Sequence, residues 1–223
     1  MTTANRSEPP LIALISATSA AIAPAVDGLR VAYPSAEVWN LLDDRLLSDA
    51  EEAGGVTPPL MQRMTRLIHH AVDGGASGVL LTCSQYGPIA QRVSAPVPVL
   101  APDSAAFRII KDGQYARVLV LSSLKSALDD SMSRLSAVLG PDQLLIGAVS
   151  AAAGQRAREG DVQAVGEALI EAVHEAESGV DAVLLAQYSL APARDDLSRV
   201  LGIPVISGPQ TAATRLRQLI EEQ

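Results

Sequence analysis

Cys83 is the single cysteine of the chain, and its setting points to thiol chemistry. It stands in Thr82-Cys83-Ser84-Gln85, where an apolar run over 78–82 gives way to polar residues and a helix-length stretch over 85–92. A thiol placed where a strand ends and a helix begins faces unpaired backbone N–H groups and the positive end of the helix dipole. Both favour the thiolate, which is the nucleophile and the base. Ser84 and Gln85 add donors suited to a carboxylate or a developing oxyanion. A lone cysteine is equally well described as a small buried hydrophobe, so its position has to decide the matter.

Other polar residues carry less. His69 and His70 sit on a helical stretch remote from the strand ends, where a solvated or capping role fits. His174 lies among Glu171, Glu175 and Glu177, a pattern typical of a solvent face. Asp43 and Asp44 follow an apolar run and either reach a cleft rim or begin a helix. Trp39 reads as core. Gly74-Gly75 is a helix stop, and no dinucleotide or phosphate-loop pattern occurs. Three histidines and one cysteine show no zinc spacing.

Composition narrows the classes of function. With 48% hydrophobic and 19% charged residues, 223 residues suffice for one large domain or two small ones. A net charge of −8 and 3% aromatic residues argue against a nucleic-acid partner. One cysteine makes no intrachain disulfide, which fits a reducing cytoplasm. The apolar stretch from Leu11 to Val26 is interrupted by Ser and Thr and broken by Pro24; it is too short and polar to span a bilayer, so no membrane association is expected.

The elements that must position Cys83 alternate along the chain. Strands are expected at 11–16, 37–42, 78–82, 97–100, 117–121, 143–146, 182–186 and 204–206. Helices are expected at 19–32, 59–73, 85–92, 104–111, 125–139, 161–178, 192–201 and 211–222. Strict alternation means a parallel sheet with helices on its faces, and strands apolar throughout are those covered on both sides.

The chain also repeats itself. Val79-Leu80-Leu81-Thr82 recurs 104 residues later as Val183-Leu184-Leu185-Ala186, and Pro88 falls on Pro192. The first strand maps onto Val118–Ser122 at an offset of 106, and Arg108 onto Arg215 at 107. The expected fold is therefore α/β, with two pseudo-symmetric, flavodoxin-like parallel-sheet halves and the active-site cleft between them. A disordered tail over 1–10 precedes an N-terminal half over 11–116 and a C-terminal half over 117–223, with the closing helices open to exchange between halves. Ligands of parallel sheets bind beyond the carboxyl ends of strands, which is where Cys83 and Gln187 fall.

The two-half pattern and the strand–Cys–Ser–helix motif of Leu81-Thr82-Cys83-Ser84 resemble the aspartate/glutamate/hydantoin racemase superfamily, which includes arylmalonate decarboxylase and maleate isomerase. The resemblance spans Leu11 to about Leu219. It implies cofactor-independent chemistry at the carbon next to a carboxylate, a small carboxylate or dicarboxylate substrate, and a homodimer. In the racemases two cysteines face each other across the substrate. Cys83 matches the first, whereas the second falls at Ala186 or Gln187, neither of which shuttles a proton. The acid that amino-acid racemases carry after the first strand is replaced by Ser16 and Ala17, so an ammonium group finds no counter-ion. Ser16, Ser84, Ser122, Ser123, Tyr188 and Ser189, with Gln85 and Gln187, are expected to line the cleft, although each serine is also a helix-capping type.

Four functions compete on this footing. Cys83 acts as a single proton donor in a decarboxylation; it adds to an unsaturated diacid; it racemises or epimerises with Gln187, Tyr188 or water in place of the second thiol; or the chain binds a small carboxylate without turnover.

Overall fold

Successive residues of a strand face opposite sides of its sheet, so a strand apolar at every position needs cover on both faces. In the computed structural model, which describes residues 9–140, 142–176 and 179–222, that condition shapes the molecule. Strands β1 (Leu11–Ser16), β2 (Glu37–Leu42), β3 (Gly78–Leu81) and β4 (Val99–Leu100) form one parallel sheet, ordered β2-β1-β3-β4. Strands β5 (Arg117–Ser122), β6 (Leu144–Val149), β7 (Ala182–Leu185) and β8 (Val205–Ser207) repeat it as β6-β5-β7-β8. The fully buried strands β3 and β7 lie beside β1 and β5, with Leu14 opposite Leu80 and Leu119 opposite Val183.

The helices are α1 (Ile22–Ala32), α2 (Arg45–Glu52), α3 (Pro58–Asp73), α4 (Ser104–Gly113), α5 (Lys125–Ser136), α6 (Ala151–Glu159), α7 (Val162–Glu175), α8 (Arg194–Leu201) and α9 (Gly208–Glu221). On one face of the first sheet, Ala13, Ile15, Val79 and Leu81 pack with Leu60, Met64 and Ile68 of α3. On the other face, Ile12, Leu14 and Leu80 meet Leu29 of α1 and Ala212, Ala213 and Leu216 of α9. The second sheet packs Leu119, Leu121, Val183 and Leu185 against Val165 and Leu169 of α7. Its far face, Val118, Val120 and Leu184, takes Leu128 of α5 together with Ala106, Phe107 and Ile110 of α4. Helix α4 thus follows the first sheet in sequence and covers the second, and α9 crosses back to cover the first.

The α1–α9 contact depends on a missing side chain. A Cβ on Gly28 would lie 2.7 Å from the carbonyl carbon of Pro209, closer than packed atoms approach. Gly28→Val is expected to lower stability by about 1–3 kcal/mol, the usual cost of overpacking. Urea denaturation that shows no loss would mean α9 is not seated there.

Two elements differ in kind from the sequence reading. The stretches after β3 and β7 are 3-10 helices, Ser84–Gln91 and Tyr188–Ala193, because Pro88 and Pro192 remove a helix donor within each. Asp43 and Asp44 do begin a helix, α2, with Asp44 at its N-cap, whereas α6 was not expected: its sequence is Ala-rich with Gly154 and no clear apolar stripe. Trp39 is half-buried and packs edge-on against His70, with ring centroids 5.4 Å apart. Asp43 is ion-paired to Arg63, which also holds Asp49 at 2.9 Å. Most of the tail expected over 1–10 lies outside the described residues, as do 177 and 178, where the helix expected over 161–178 was to end. Pro10 is already tied in, its carbonyl accepting the Glu37 N–H at 2.9 Å. No described helix is long and apolar enough to cross a membrane.

Candidate active site at the seam between the halves

Cys83 lies two residues past the end of β3, after Thr82, and Gln187 two past the end of β7, after Ala186, both in extended backbone. Because β3 and β7 are buried and parallel to their neighbours, each delivers the residues after it to the carboxyl edge of its sheet. The two edges meet, and the side chains enclose a hollow of about 40 Å³. Its first-half lining is Thr18, Ala21, Leu47, Thr82, Cys83, Ser84 and Gln85; its second-half lining is Leu124, Ala127, Gln187, Tyr188 and Ser189. Such a volume accommodates roughly two or three water molecules.

Hydrogen bonds sew this seam. The Ser84 hydroxyl donates to the Ala186 carbonyl at 3.0 Å, and Gln85 Nε2 donates to Ser126 Oγ at 3.1 Å. The Tyr188 phenol turns away from the hollow and donates to the Pro102 carbonyl at 3.2 Å; burial pushes its pKa above the ordinary value. Gln187 Oε1 accepts from the Ser123 backbone N–H at 2.6 Å and from Ser122 Oγ at 3.0 Å. A backbone N–H meets an amide oxygen, so these contacts fix the amide's orientation and leave its Nε2 end as the donor. Gln85 Oε1 is buried without a hydrogen-bond partner among the described residues.

The sequence-derived set therefore divides. Cys83, Ser84, Gln85, Gln187, Tyr188 and Ser189 come together on one hollow. Ser16, Ser122 and Ser123 do not line it. Ser16 is buried and accepts from Thr82 Oγ1 at 2.9 Å, while Ser122 and Ser123 stand behind Gln187 and hold its oxygen. These three serines lie one layer back, Ser16 and Ser122 as the last residues of β1 and β5 and Ser123 just after β5.

Thr18, Ala21, Leu47, Leu124 and Ala127 were not picked out from the sequence, yet the signal for four of them was present. The offset of 106 that relates the first strands carries Thr18 onto Leu124 and Ala21 onto Ala127. The offset of 104 carries Cys83, Ser84 and Gln85 onto Gln187, Tyr188 and Ser189. Apart from Leu47 and Thr82, the lining obeys the internal symmetry.

Electrostatics overturn one expectation. Burial pushes the Cys83 thiol up to about 11, although the backbone N–H groups of Gln85 and Tyr86 pull it down; the carboxylates of Asp103 and Asp130 push it further up. Among the described residues, no charged side chain lines the hollow. The half-buried thiol is accordingly protonated near neutrality. Alkylation of Cys83 by iodoacetamide is expected to accelerate with pH toward a midpoint near 11. A midpoint below about 7 would show an activated thiolate instead.

No family model and no curated protein matches the sequence. Its fold matches solved structures. Aspartate racemase from Picrophilus torridus aligns with a TM-score of 0.76 and 13% identity, over 95% of this chain and 94% of that one. Allantoin racemase from Klebsiella pneumoniae aligns at 0.71 and 20% identity, over 96% and 88%. Arylmalonate decarboxylase aligns at 0.65 and 18% identity, over 95% and 92%. The chain has the two-half parallel α/β fold common to these racemases and the decarboxylase, the fold class that its internal repeat implied.

Proposed function

We propose that the protein is a cofactor-independent enzyme of the aspartate/glutamate racemase superfamily in which Cys83 delivers a proton to the carbon next to a carboxylate. The observation that carries this reading is the pairing across the seam: a protonated thiol on one side and, at the symmetric position, a clamped amide. Two-thiol racemisation needs a base on one face of the substrate and an acid on the other. Gln187 is neither, since its oxygen is held by Ser122 and Ser123 and its nitrogen offers a hydrogen bond.

Decarboxylation of a 2-substituted malonate fits such a one-sided site. The C–C bond to the departing carboxylate breaks, CO₂ leaves, and the electron pair passes into an enediolate. Gln187 Nε2 and the hydroxyls of Thr18 and Ser189, which line the hollow, would hydrogen-bond its oxygens. The Cys83 S–H proton then adds to the α-carbon, and the thiolate is reprotonated by solvent. A thiol near 11 is a weak acid in water but a strong one beside an enediolate, so its raised pKa suits a donor. Covalent addition to an unsaturated diacid is less well served, because it needs the thiolate.

The test is turnover of 2-substituted malonates in deuterated water. The expected product carries one deuterium at the α-carbon and has a single configuration. Exchange and racemisation of a 2-substituted monoacid would establish two-sided chemistry instead, and binding of malonates without any conversion would leave a carboxylate-binding protein.

A further inference from the structure

The hollow at Cys83 is small, and its walls show where it continues. Thr18 and Ser189 line both this hollow and a second, open recess of about 500 Å³. The recess lies between the start of α1, which contributes Ala23 and Pro24, and the α6–α7 corner, which contributes Ala157, Arg158 and Val162.

Its existence follows from an asymmetry between the halves. At the offset of 106, Leu46-Leu47 of α2 correspond to Ala152-Ala153 of α6. Leu47 reaches the Cys83 hollow and plugs the first-half side. On the second-half side α6 has only methyl groups at these positions, and Gly154 is pressed so closely on Ser123 that a Cβ there would meet its side chain at 2.5 Å. Space is left in front of α6.

The rim of that space carries Arg158 and Glu159. Arg158 is exposed, and no carboxylate pairs with it among the described residues. Its neighbour Glu159 is already engaged by Arg156 and Gln155, each at 3.0 Å. In a chain of net charge −8, a guanidinium on this recess with no carboxylate paired to it among the described residues runs against the prevailing charge.

We infer that this recess is the mouth through which ligands reach Cys83, and that Arg158 selects anions there while Ala23, Pro24 and Val162 receive an apolar substituent. The inference deepens the function proposed above and rests on it for the nature of the reaction: the ligand is a carboxylate bearing an apolar group, admitted past Thr18 and Ser189. The route itself rests on the geometry.

Because Cys83 is the single cysteine, labelling reads the route without any substrate. Iodoacetate and iodoacetamide share a reactive carbon and differ in charge, so the ratio of their rates at about pH 9 cancels changes in thiolate fraction. Arg158→Glu is expected to lower the iodoacetate-to-iodoacetamide ratio by about fivefold at low salt, and added salt should shrink the difference. Ala23→Trp, on an exposed wall of the recess, should slow both reagents together, and Ala157→Trp on the opposite wall should do the same.

An unchanged ratio in Arg158→Glu overturns the anion selection. Wild-type iodoacetamide rates in both tryptophan variants, with circular dichroism showing them folded, overturn the route. Failure of every malonate to turn over would defeat the proton-transfer reading while leaving these labelling ratios as they are, so the two failures are distinguishable.

Discussion

Replacing Cys83 by alanine is expected to lower decarboxylation by about 10²–10⁴-fold, the range a positioned general acid contributes. Residual product should also lose its single configuration. The second effect is the more telling. With the thiol in place, the proton comes from the first-half side alone, because the symmetric position holds Gln187 with its oxygen clamped by Ser122 and Ser123. With the thiol gone, water protonates the enediolate from whichever face it reaches. Cys83→Ser should resemble the alanine variant in rate, since a hydroxyl is a far weaker acid than a thiol. Neither change should unfold the chain, because Cys83 is half-buried at a cavity wall rather than inside a strand. A variant that keeps both the wild-type rate and the product configuration would remove Cys83 from the mechanism.

How much of this was legible in the sequence varies with the physics involved. The expected limits of β1 and β2 coincide with the observed Leu11–Ser16 and Glu37–Leu42, β1 being marked by an apolar run with sharp ends. The repeat showed the second sheet as a copy of the first because sheet interiors constrain residue type at every position. It showed Cys83 and Gln187 as partners for the same reason.

What the sequence hid depends on direction and depth. Ser16, Ser122 and Ser123 are of the right type and near the strand ends, but their partners are Thr82 and Gln187, side chains far away in sequence. The thiol's proton affinity is set by depth, which the sequence does not display: burial outweighs the pull of the Gln85 and Tyr86 backbone N–H groups. The closing of the hollow by Leu47 is a tertiary fact: α2 is too short to announce itself by periodicity. The least visible feature was an ion pair joining residues far apart in sequence, Asp103 and Arg134.

Asp103→Asn is expected to destabilise the protein by about 3–5 kcal/mol, as losing one partner of a buried ion pair does. Asp103 is 5% exposed and sits just before α4, in the first half; Arg134 belongs to α5, in the second. The guanidinium grips both carboxylate oxygens, at 2.7 and 2.5 Å, takes Asp130 at 2.8 Å, and lies over the Phe107 ring at 5.3 Å. Burial works against the charge, but the hydrogen bonds and charges of Asp103 and Asp130 hold the Arg134 pKa above its usual value. In the variant the guanidinium remains buried with half of its compensation gone. The double change Asp103→Asn with Arg134→Met should recover much of the loss, since it removes the stranded charge as well. A purely structural role would end there. However, the Asp103 carboxylate is also one of the charges that raise the Cys83 thiol. Removing that negative charge favours the thiolate, so the alkylation midpoint of Cys83 should move downward in Asp103→Asn. A urea midpoint that falls while the thiol midpoint stays at its wild-type value would confine this ion pair to holding the halves together; a shift in both makes it part of what keeps the proton on sulfur.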